Sequence, residues 1–357
     1  MKPEWESLLS LRDEIGDLFE RAKDPSEGQP EVDYAVIKDK LFDEYHSLVD
    51  ADALRSLIVK AVSIYEHTAP RASMEVAGAL CRLSVEWWII NAILDHKCTG
   101  NVSSSDCRQV LLENAMMFWD EAYMPSLEEG IHPLQRGFYA TASLCWARGQ
   151  CSTFWVQMIA SELLRYIFSR NIGVLGRVDT FDSVHDAMRA RCEDGGMIAQ
   201  TLLTELESGP IELSETTRRS ATYTEALERL STLTALINDV ASIWIDQRSG
   251  ALNVALFLYE QNCPPMDRDE AMLAALRETC ELLRHEYMLL VAALAEIESL
   301  GTDEPHVLRS YTDYLRTFCR RYWNWQMSCR PYFSPGHPVV ELRRVGMPGQ
   351  LPKHRMG

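Results

Sequence analysis

The sequence has few basic residues for its length, and this shortage argues against one class of function. Only 35 lysines and arginines stand against 52 aspartates and glutamates, so the formal net charge of the 357-residue chain is −17. Binding to nucleic acid depends on clustered basic side chains that neutralise phosphates. We therefore expect no nucleic-acid partner. An anionic ligand would need local basic side chains and a metal ion to offset the negative charge.

Long hydrophobic runs and closely paired cysteines are also absent. No stretch of 18 consecutive apolar residues occurs, which predicts that no segment spans a membrane. The ten cysteines include no CxxC pair, and the charged N-terminus lacks the apolar segment of a secretory signal. Free thiols in a reducing compartment fit these features best, so we expect a cytoplasmic protein.

Strand patterns are missing as well. Val, Ile and Thr never alternate with polar residues over the length of a strand, whereas apolar residues recur at helical spacing. The chain is therefore predicted to form a single all-α domain over residues 1–357, with an N-terminal segment 1–35, a core 70–335 and an irregular tail 336–357. The predicted helices span residues 5–23, 37–47, 50–66, 73–95, 105–121, 133–148, 151–171, 180–208, 213–247, 250–262, 267–299 and 303–329.

The segment 236–246 (LINDVASIWID) carries polar side chains at helical intervals. Asn238, Ser242 and Asp246 follow one another at four-residue spacing, which places them on one face of a helix. Amide, hydroxyl and carboxylate oxygens suit Mg²⁺, which also retains water and contacts substrate phosphates. Because the flanking residues are apolar, we expect this face to point into a pocket and to bind Mg²⁺. The alternative is a buried polar stripe that only bonds neighbouring helices.

A glycine pair interrupts the helix predicted upstream of this segment. Residues 191–196 (RCEDGG) combine Arg191 and Asp194 with Gly195 and Gly196. Consecutive glycines interrupt helical hydrogen bonding and expose a carbonyl, while a guanidinium can grip phosphate oxygens with two parallel bonds. One interpretation of these residues is that Arg191 binds phosphate. The alternative is an ordinary kink with solvated charges.

Together these patterns resemble those of class I terpene synthases. Residues 238–246 are similar to the second metal-binding motif of that family, and residues 191–195 to its R-x-x-D-G arrangement, in which the arginine senses diphosphate. Near the C-terminus, Trp325, Arg330 and Tyr332 resemble an aromatic residue followed by an Arg-Tyr pair that donates hydrogen bonds to diphosphate. A proline separates the last two residues here, so the segment could instead be a helix boundary.

The first metal-binding motif of the family, an aspartate-rich segment, is degenerate in this chain. At the corresponding place only Asp95 matches; His96 stands where a second aspartate is expected, and Thr99 lies near the third position. One interpretation is that Asp95 binds metal with water filling the gap, while Asn91, one turn earlier, supplies a neutral oxygen. The alternative is that Asp95 has only a local structural role.

The resemblance implies a helical bundle around a central apolar pocket in which Mg²⁺ and basic residues ionise an allylic diphosphate. The expected substrate is farnesyl diphosphate and the expected product is a sesquiterpene hydrocarbon, with humulene-type cyclases as one similar group. Aromatic side chains would line the pocket, because their faces stabilise carbocations. No membrane is expected to take part. The protein would be a monomer or a homodimer. The implied site comprises the metal ligands Asn238, Ser242, Asp246 and Asp95, the substrate-binding residues Arg191, Asp194, Gly195, Asn91 and Arg330, and the catalytic residues Asp95, Arg191, Arg330, Tyr332, Trp88 and Trp325.

Two other functions remain open at this point. A trans-prenyltransferase would share the fold and the metal–diphosphate chemistry, but it normally has two aspartate-rich motifs, and neither is present. A non-catalytic helical protein is favoured by the degenerate motif and opposed by the joint presence of the other motif residues. A further acidic face, formed by Asp179, Asp182 and Asp186, is interpreted as a solvated helix start, because acidic residues favour that end of a helix.

Overall fold

The architecture was established from a computed structural model of the chain. It describes residues 16, 32–94, 99–100, 104–125, 130–147, 151–171, 181–207, 211–262, 267–328 and 344–345. The α-helices in this part of the chain are α1 (Tyr34–Tyr45), α2 (Ala51–Thr68), α3 (Met74–Leu94), α4 (Ser104–Trp119), α5 (Arg136–Ala147), α6 (Thr153–Asn171), α7 (Val184–Gly195), α8 (Met197–Thr204), α9 (Glu215–Arg218), α10 (Ala221–Ser249), α11 (Val254–Asn262), α12 (Arg268–Glu298) and α13 (Pro305–Ser328).

These helices confirm the predicted all-α fold. Short 3-10 turns occur at Glu121–Tyr123, Pro133–Gln135 and Glu205–Glu207. A two-residue parallel pair, β1 (Thr99–Gly100) and β2 (Arg344–Val345), accompanies the helices. Two residues are too few to produce an alternating pattern, so the sequence has no signal for this pair. The predicted helix 5–23 lies outside the described residues except for helical Gly16, and so does the tail except for β2.

Two of the predicted helices are divided in the structure. The helix predicted over residues 180–208 breaks at Gly196, which confirms the interruption predicted at the glycine pair, and this residue adopts a left-handed conformation with φ of +61°. The predicted helix 213–247 breaks at Ser220, whose hydroxyl accepts a hydrogen bond from the Tyr223 amide and thereby caps α10. Serine is a preferred N-cap because its side chain satisfies an amide that has no partner within the helix.

The described residues divide into two compact units. The first unit comprises those within Gln29–Ile167 and Leu206–Ser208 together with the strand pair, and the second those within Phe168–Glu205 and Gly209–Val339 together with Gly16. The single domain predicted for the whole chain stays a prediction.

Helix α3 is the most buried helix of the first unit, and it packs closely against α5. A Cβ atom on Gly137 would lie only 2.3 Å from the backbone nitrogen of Leu83, so glycine is required where the two helices meet. By length and composition α3 could cross a membrane, but 67% of its most apolar stretch is buried within the protein. We therefore interpret it as a core helix.

A buried carboxylate reinforces this helix contact. Glu86 on α3 is fully buried and accepts hydrogen bonds from the Tyr45 hydroxyl and from the backbone amide of Gly137, the latter at 2.8 and 2.9 Å. These bonds favour the charged form, but the loss of hydration on burial dominates and raises the pKa of Glu86 to about 8.

This raised pKa predicts a pH dependence of folding. Because the carboxyl of Glu86 binds its proton more tightly in the folded than in the unfolded chain, the free energy of unfolding should fall as pH rises from about 5 to 8. Glu86→Gln should flatten this slope, as measured by urea unfolding at several pH values. Glu281→Gln, which removes an exposed carboxylate from α12, is the control and should leave it unchanged. An equal slope in wild type and Glu86→Gln would contradict the prediction.

Helix α10 organises the second unit, where it packs against α7, α8, α12 and α13. Its apolar residues join a core cluster shared with α11 and α12, formed by Ile243, Ala255, Leu256, Met272 and Leu276. Burial of such side chains stabilises a helix by about 1.5–3 kcal/mol for each large residue. The helix that carries residues 238–246 is thus held in part by apolar packing.

Candidate active site

The three predicted metal ligands lie together on α10. The Ser242 hydroxyl lies within hydrogen-bond distance of two acceptors, the backbone oxygen of Asn238, at 2.8 Å, and the carboxylate of Asp246, and its single proton can point to either. Ser242 is buried, whereas Asn238 and Asp246 are half-buried. The spacing of four residues therefore produces the expected cluster of oxygen donors, and their role as metal ligands stays a prediction.

Arg191 on α7 is bonded directly to this cluster. Its Nη2 atom donates to the side-chain oxygen of Asn238 at 2.7 Å, and its Nε atom donates to the carboxylate of Asp239, also at 2.7 Å. The sequence places these residues 47 and 48 positions apart, so the contact results from the packing of α7 against α10. The predicted phosphate-binding arginine and the predicted metal site thus form one constellation.

Asp239 is the residue of this constellation whose role the sequence did not reveal. It is fully buried, and its second oxygen accepts a hydrogen bond from the Val254 amide at the start of α11, at 2.8 Å. Burial raises the pKa of Asp239 to about 6, although the neighbouring Arg191 and the amide both oppose this rise. The available signal was a charged residue within an otherwise apolar run, because such a residue needs a buried partner.

Asn253 is a second residue that sequence reasoning missed. Its side-chain nitrogen donates to the Asp246 carboxylate at 2.9 Å and to the backbone oxygen of Asp239 at 2.9 Å. Asn253 is fully buried. It therefore bonds to α10 at two residues, Asp239 and Asp246.

The break between α7 and α8 favours glycine at residue 196 rather than at residue 195. The left-handed φ of +61° at this residue is readily adopted by glycine and strained for other residues. A Cβ atom on Gly195 would make only ordinary contacts, the nearest at 3.4 Å from Met197. The side chain of Asp194, predicted to bind substrate, lies outside the described residues.

Some of the remaining predicted site residues are described by the structure, whereas others lie outside the described residues. Asp95, Arg330 and Tyr332 are in the latter group. Asn91, in the first unit, is half-buried, and its side-chain oxygen accepts a hydrogen bond from the Tyr166 hydroxyl. An amide oxygen can accept two hydrogen bonds, so this bond does not by itself prevent contact with a ligand.

The two predicted catalytic tryptophans have different surroundings. The ring of Trp88, in the first unit, is covered by the ammonium group of Lys60, which lies 4.9 Å from the ring centroid. Trp325, in the second unit, is almost fully buried, and its ring lies 5.4 Å from that of Tyr322. It is the last member of a row of aromatic contacts along α13, which begins at Tyr311. Buried aromatic rows of this kind also stabilise helix packing.

The donor set of α10 fits a magnesium ion in chemical type. No group of three or more His, Cys, Asp or Glu side chains suited to a metal occurs in the described part of the chain. Mg²⁺ does not need such a group, because it binds through one or two carboxylates and completes its coordination with water and phosphate oxygens. The Asn238 oxygen accepts a hydrogen bond and the Ser242 hydroxyl donates one, and neither bond uses all the lone pairs with which these oxygens could bind a metal ion.

Comparison with solved structures identifies the class of this fold. A linalool/nerolidol synthase from Streptomyces clavuligerus, in complex with 2-fluorogeranyl diphosphate, superposes with a TM-score of 0.64, 20% identity and coverage of 87% of this chain and 98% of that one. An α-eudesmol synthase gives a TM-score of 0.63, 15% identity and coverage of 86% and 99%. A cucumene synthase variant superposes with a TM-score of 0.62 and 15% identity, over 83% of this chain and 96% of that one.

These similarities show that the chain has the class I terpene synthase fold. No protein-family model and no curated protein sequence matches the chain. The likeness is therefore one of three-dimensional structure, as expected when helix packing persists while most surface and core residues differ.

Proposed function

We propose that this protein is a Mg²⁺-dependent terpene cyclase that ionises farnesyl diphosphate and closes the resulting carbocation to a sesquiterpene hydrocarbon. The observation that supports this most directly is the contact between Arg191 and the oxygen donors of α10. A guanidinium beside a set of Mg²⁺-type ligands, on a terpene synthase fold, is suited to bind a diphosphate through both metal and hydrogen bonds.

In this proposal the residues of α10 and α7 divide the work of diphosphate binding. Asn238, Ser242 and Asp246 would hold Mg²⁺, which when bound neutralises charge on the departing diphosphate. Arg191 would keep its Nε bond to Asp239 and transfer its Nη2 atom from Asn238 to a phosphate oxygen. The carbocation formed next must be kept from water, so the surrounding pocket has to be dry and rich in aromatic faces. We propose Trp325, on α13, as one of these aromatic faces.

The choice of an allylic diphosphate is supported by one structural neighbour. The linalool/nerolidol synthase was solved with an analogue of geranyl diphosphate, an allylic diphosphate of shorter chain. We extend the allylic diphosphate class to this protein and propose the longer farnesyl chain, with a humulene-type skeleton as the first product to look for. We further propose a cytoplasmic location; none of the described cysteines forms a disulfide.

Incubation of the purified protein with farnesyl diphosphate and Mg²⁺ tests the proposal. Analysis of organic extracts should show a cyclic sesquiterpene that disappears when EDTA is added. Parallel reactions with geranyl and geranylgeranyl diphosphate establish the preferred chain length. If added isopentenyl diphosphate yields a longer prenyl diphosphate instead, the protein is a prenyltransferase. Absence of turnover with every substrate and with Mn²⁺ in place of Mg²⁺ would favour a non-catalytic helical protein.

The degenerate aspartate-rich motif leads to a separate prediction. If Asp95 is the sole carboxylate at its end of the site, metal there is held mainly by phosphate and water, and Asp95→Asn should strongly raise the Mg²⁺ concentration needed for half-maximal rate. His96→Asp rebuilds a carboxylate pair and should be tolerated or should lower that concentration. Magnesium titrations of turnover measure both effects, with circular dichroism to verify folding. A titration curve of Asp95→Asn identical to wild type would show that Asp95 takes no part in metal binding.

A further inference from the structure

The chain turns directly after α10, the helix that carries residues 238–246. Gly250 ends α10 in the left-handed conformation, with φ of +67°, and its amide donates to the backbone oxygen of Asp246. The next amide, of Ala251, bonds to the same oxygen at 3.2 Å. This turn brings Asn253, seven residues beyond Asp246, back against the side chain of that residue.

Asn253 connects the start of α11 to α10 through both the oxygen and the nitrogen of its side-chain amide. The oxygen accepts a hydrogen bond from the Leu256 amide at 3.1 Å and so caps the first turn of α11. The nitrogen donates to the backbone oxygen of Asp239 and to Oδ2 of Asp246. Because the side chain is fully buried, no water competes for these bonds.

We propose that Asn253 is a positioning residue that orients the Asp246 carboxylate for metal binding, an inference that rests on the proposed function. Oδ2 of Asp246 accepts one hydrogen bond from the Ser242 hydroxyl on its own helix and one from Asn253. If Mg²⁺ binds a lone pair of the serine oxygen, the hydroxyl reorients and its bond to the carboxylate changes. Asn253, which donates to the same Oδ2 atom from the start of α11, is then a donor that holds the carboxylate plane.

The expected size of the effect follows from the behaviour of other metal sites. Removal of a hydrogen-bond partner behind a metal ligand typically weakens metal binding by about 10- to 100-fold. The same side chain also caps α11, and loss of a cap lowers stability without any specific effect on metal. A useful substitution must therefore preserve the cap and remove only the bond to Asp246.

Asn253→Ser makes this separation. Serine is also a preferred N-cap residue, so its hydroxyl can accept the Leu256 amide, but it is too short to reach the Asp246 carboxylate. The matched control is Ser220→Ala, which removes the N-cap of α10 at the opposite end of the same helix. Binding of Mn²⁺ in the presence of inorganic pyrophosphate, followed by electron paramagnetic resonance, reports the metal affinity independently of turnover. Thermal unfolding reports the stability of each variant.

We expect Asn253→Ser to weaken Mn²⁺ binding by about 10-fold or more, with turnover restored towards the wild-type rate at saturating metal. Ser220→Ala should lower the unfolding temperature and leave Mn²⁺ affinity unchanged. Unchanged Mn²⁺ affinity in Asn253→Ser, or loss of affinity in both variants in proportion to their stability, would overturn the positioning role. Failure of the wild-type protein to bind Mn²⁺ with pyrophosphate would instead count against the proposed function.

Discussion

Asp246→Asn is expected to reduce Mg²⁺-dependent turnover by more than about 100-fold, the upper range seen when only a partner behind a metal ligand is lost. The substitution retains the size of the side chain and removes the only carboxylate among the three oxygen donors of α10. An amide oxygen binds Mg²⁺ far more weakly than a carboxylate, and the remaining donors are neutral. Initial rates measured over a wide range of Mg²⁺ concentrations test this expectation.

Asp182→Asn provides the matched control for this experiment. Asp182 is exposed and precedes α7, where Ser183 caps the helix by accepting a hydrogen bond from the Asp186 amide. These contacts agree with the interpretation of that acidic face as a solvated helix start. We expect Asp182→Asn to leave the Mg²⁺ titration unchanged. A greater loss of activity in Asp182→Asn than in Asp246→Asn would show that the metal site had been assigned to the wrong acidic face.

Arg191→Lys is expected to weaken inhibition by pyrophosphate by at least about tenfold, which corresponds to the ~1.4 kcal/mol of one lost hydrogen bond to a charged group. An ammonium group can pair with Asp239 but cannot at the same time reach a phosphate with the geometry of a guanidinium. The same change should not weaken metal binding in the absence of pyrophosphate, because it releases the Asn238 oxygen that Arg191 now occupies. Of the two measurements, only the inhibition by pyrophosphate should therefore be weakened.

A comparison of unfolding and a control variant distinguish loss of phosphate binding from loss of structure. Breaking a buried ion pair by removal of one partner costs about 3–5 kcal/mol, so Arg191→Ala is expected to unfold more readily than Arg191→Lys, which keeps a positive charge near Asp239. Arg189→Lys is the control, since Arg189 is exposed and bonds to Asp186 in its own helix. Pyrophosphate inhibition that is unchanged in a folded Arg191→Ala protein would rule out the phosphate-binding role.

The helices and the oxygen-donor face of α10 could be predicted from the amino-acid order because both are local properties. Helical periodicity relates residues three and four apart, and this relation holds wherever the helix packs. Asn238, Ser242 and Asp246 therefore had to share a face once that segment was helical. The break at Gly196 was local too, since it depends on the conformational freedom of glycine.

The contacts that turn this face into a constellation depended on tertiary packing. Arg191 meets Asn238 and Asp239 only because α7 crosses α10, and no periodicity relates residues 47 and 48 positions apart. The burial of Asp239 also depends on tertiary packing. A buried charge is tolerated only where a partner, here on another helix, compensates for the lost hydration. Asn253 reaches Asp246 through the turn at Gly250 and the packing of α11 on α10. Local chemistry thus specifies which oxygen donors share a face, whereas the folded chain determines which side chains orient them.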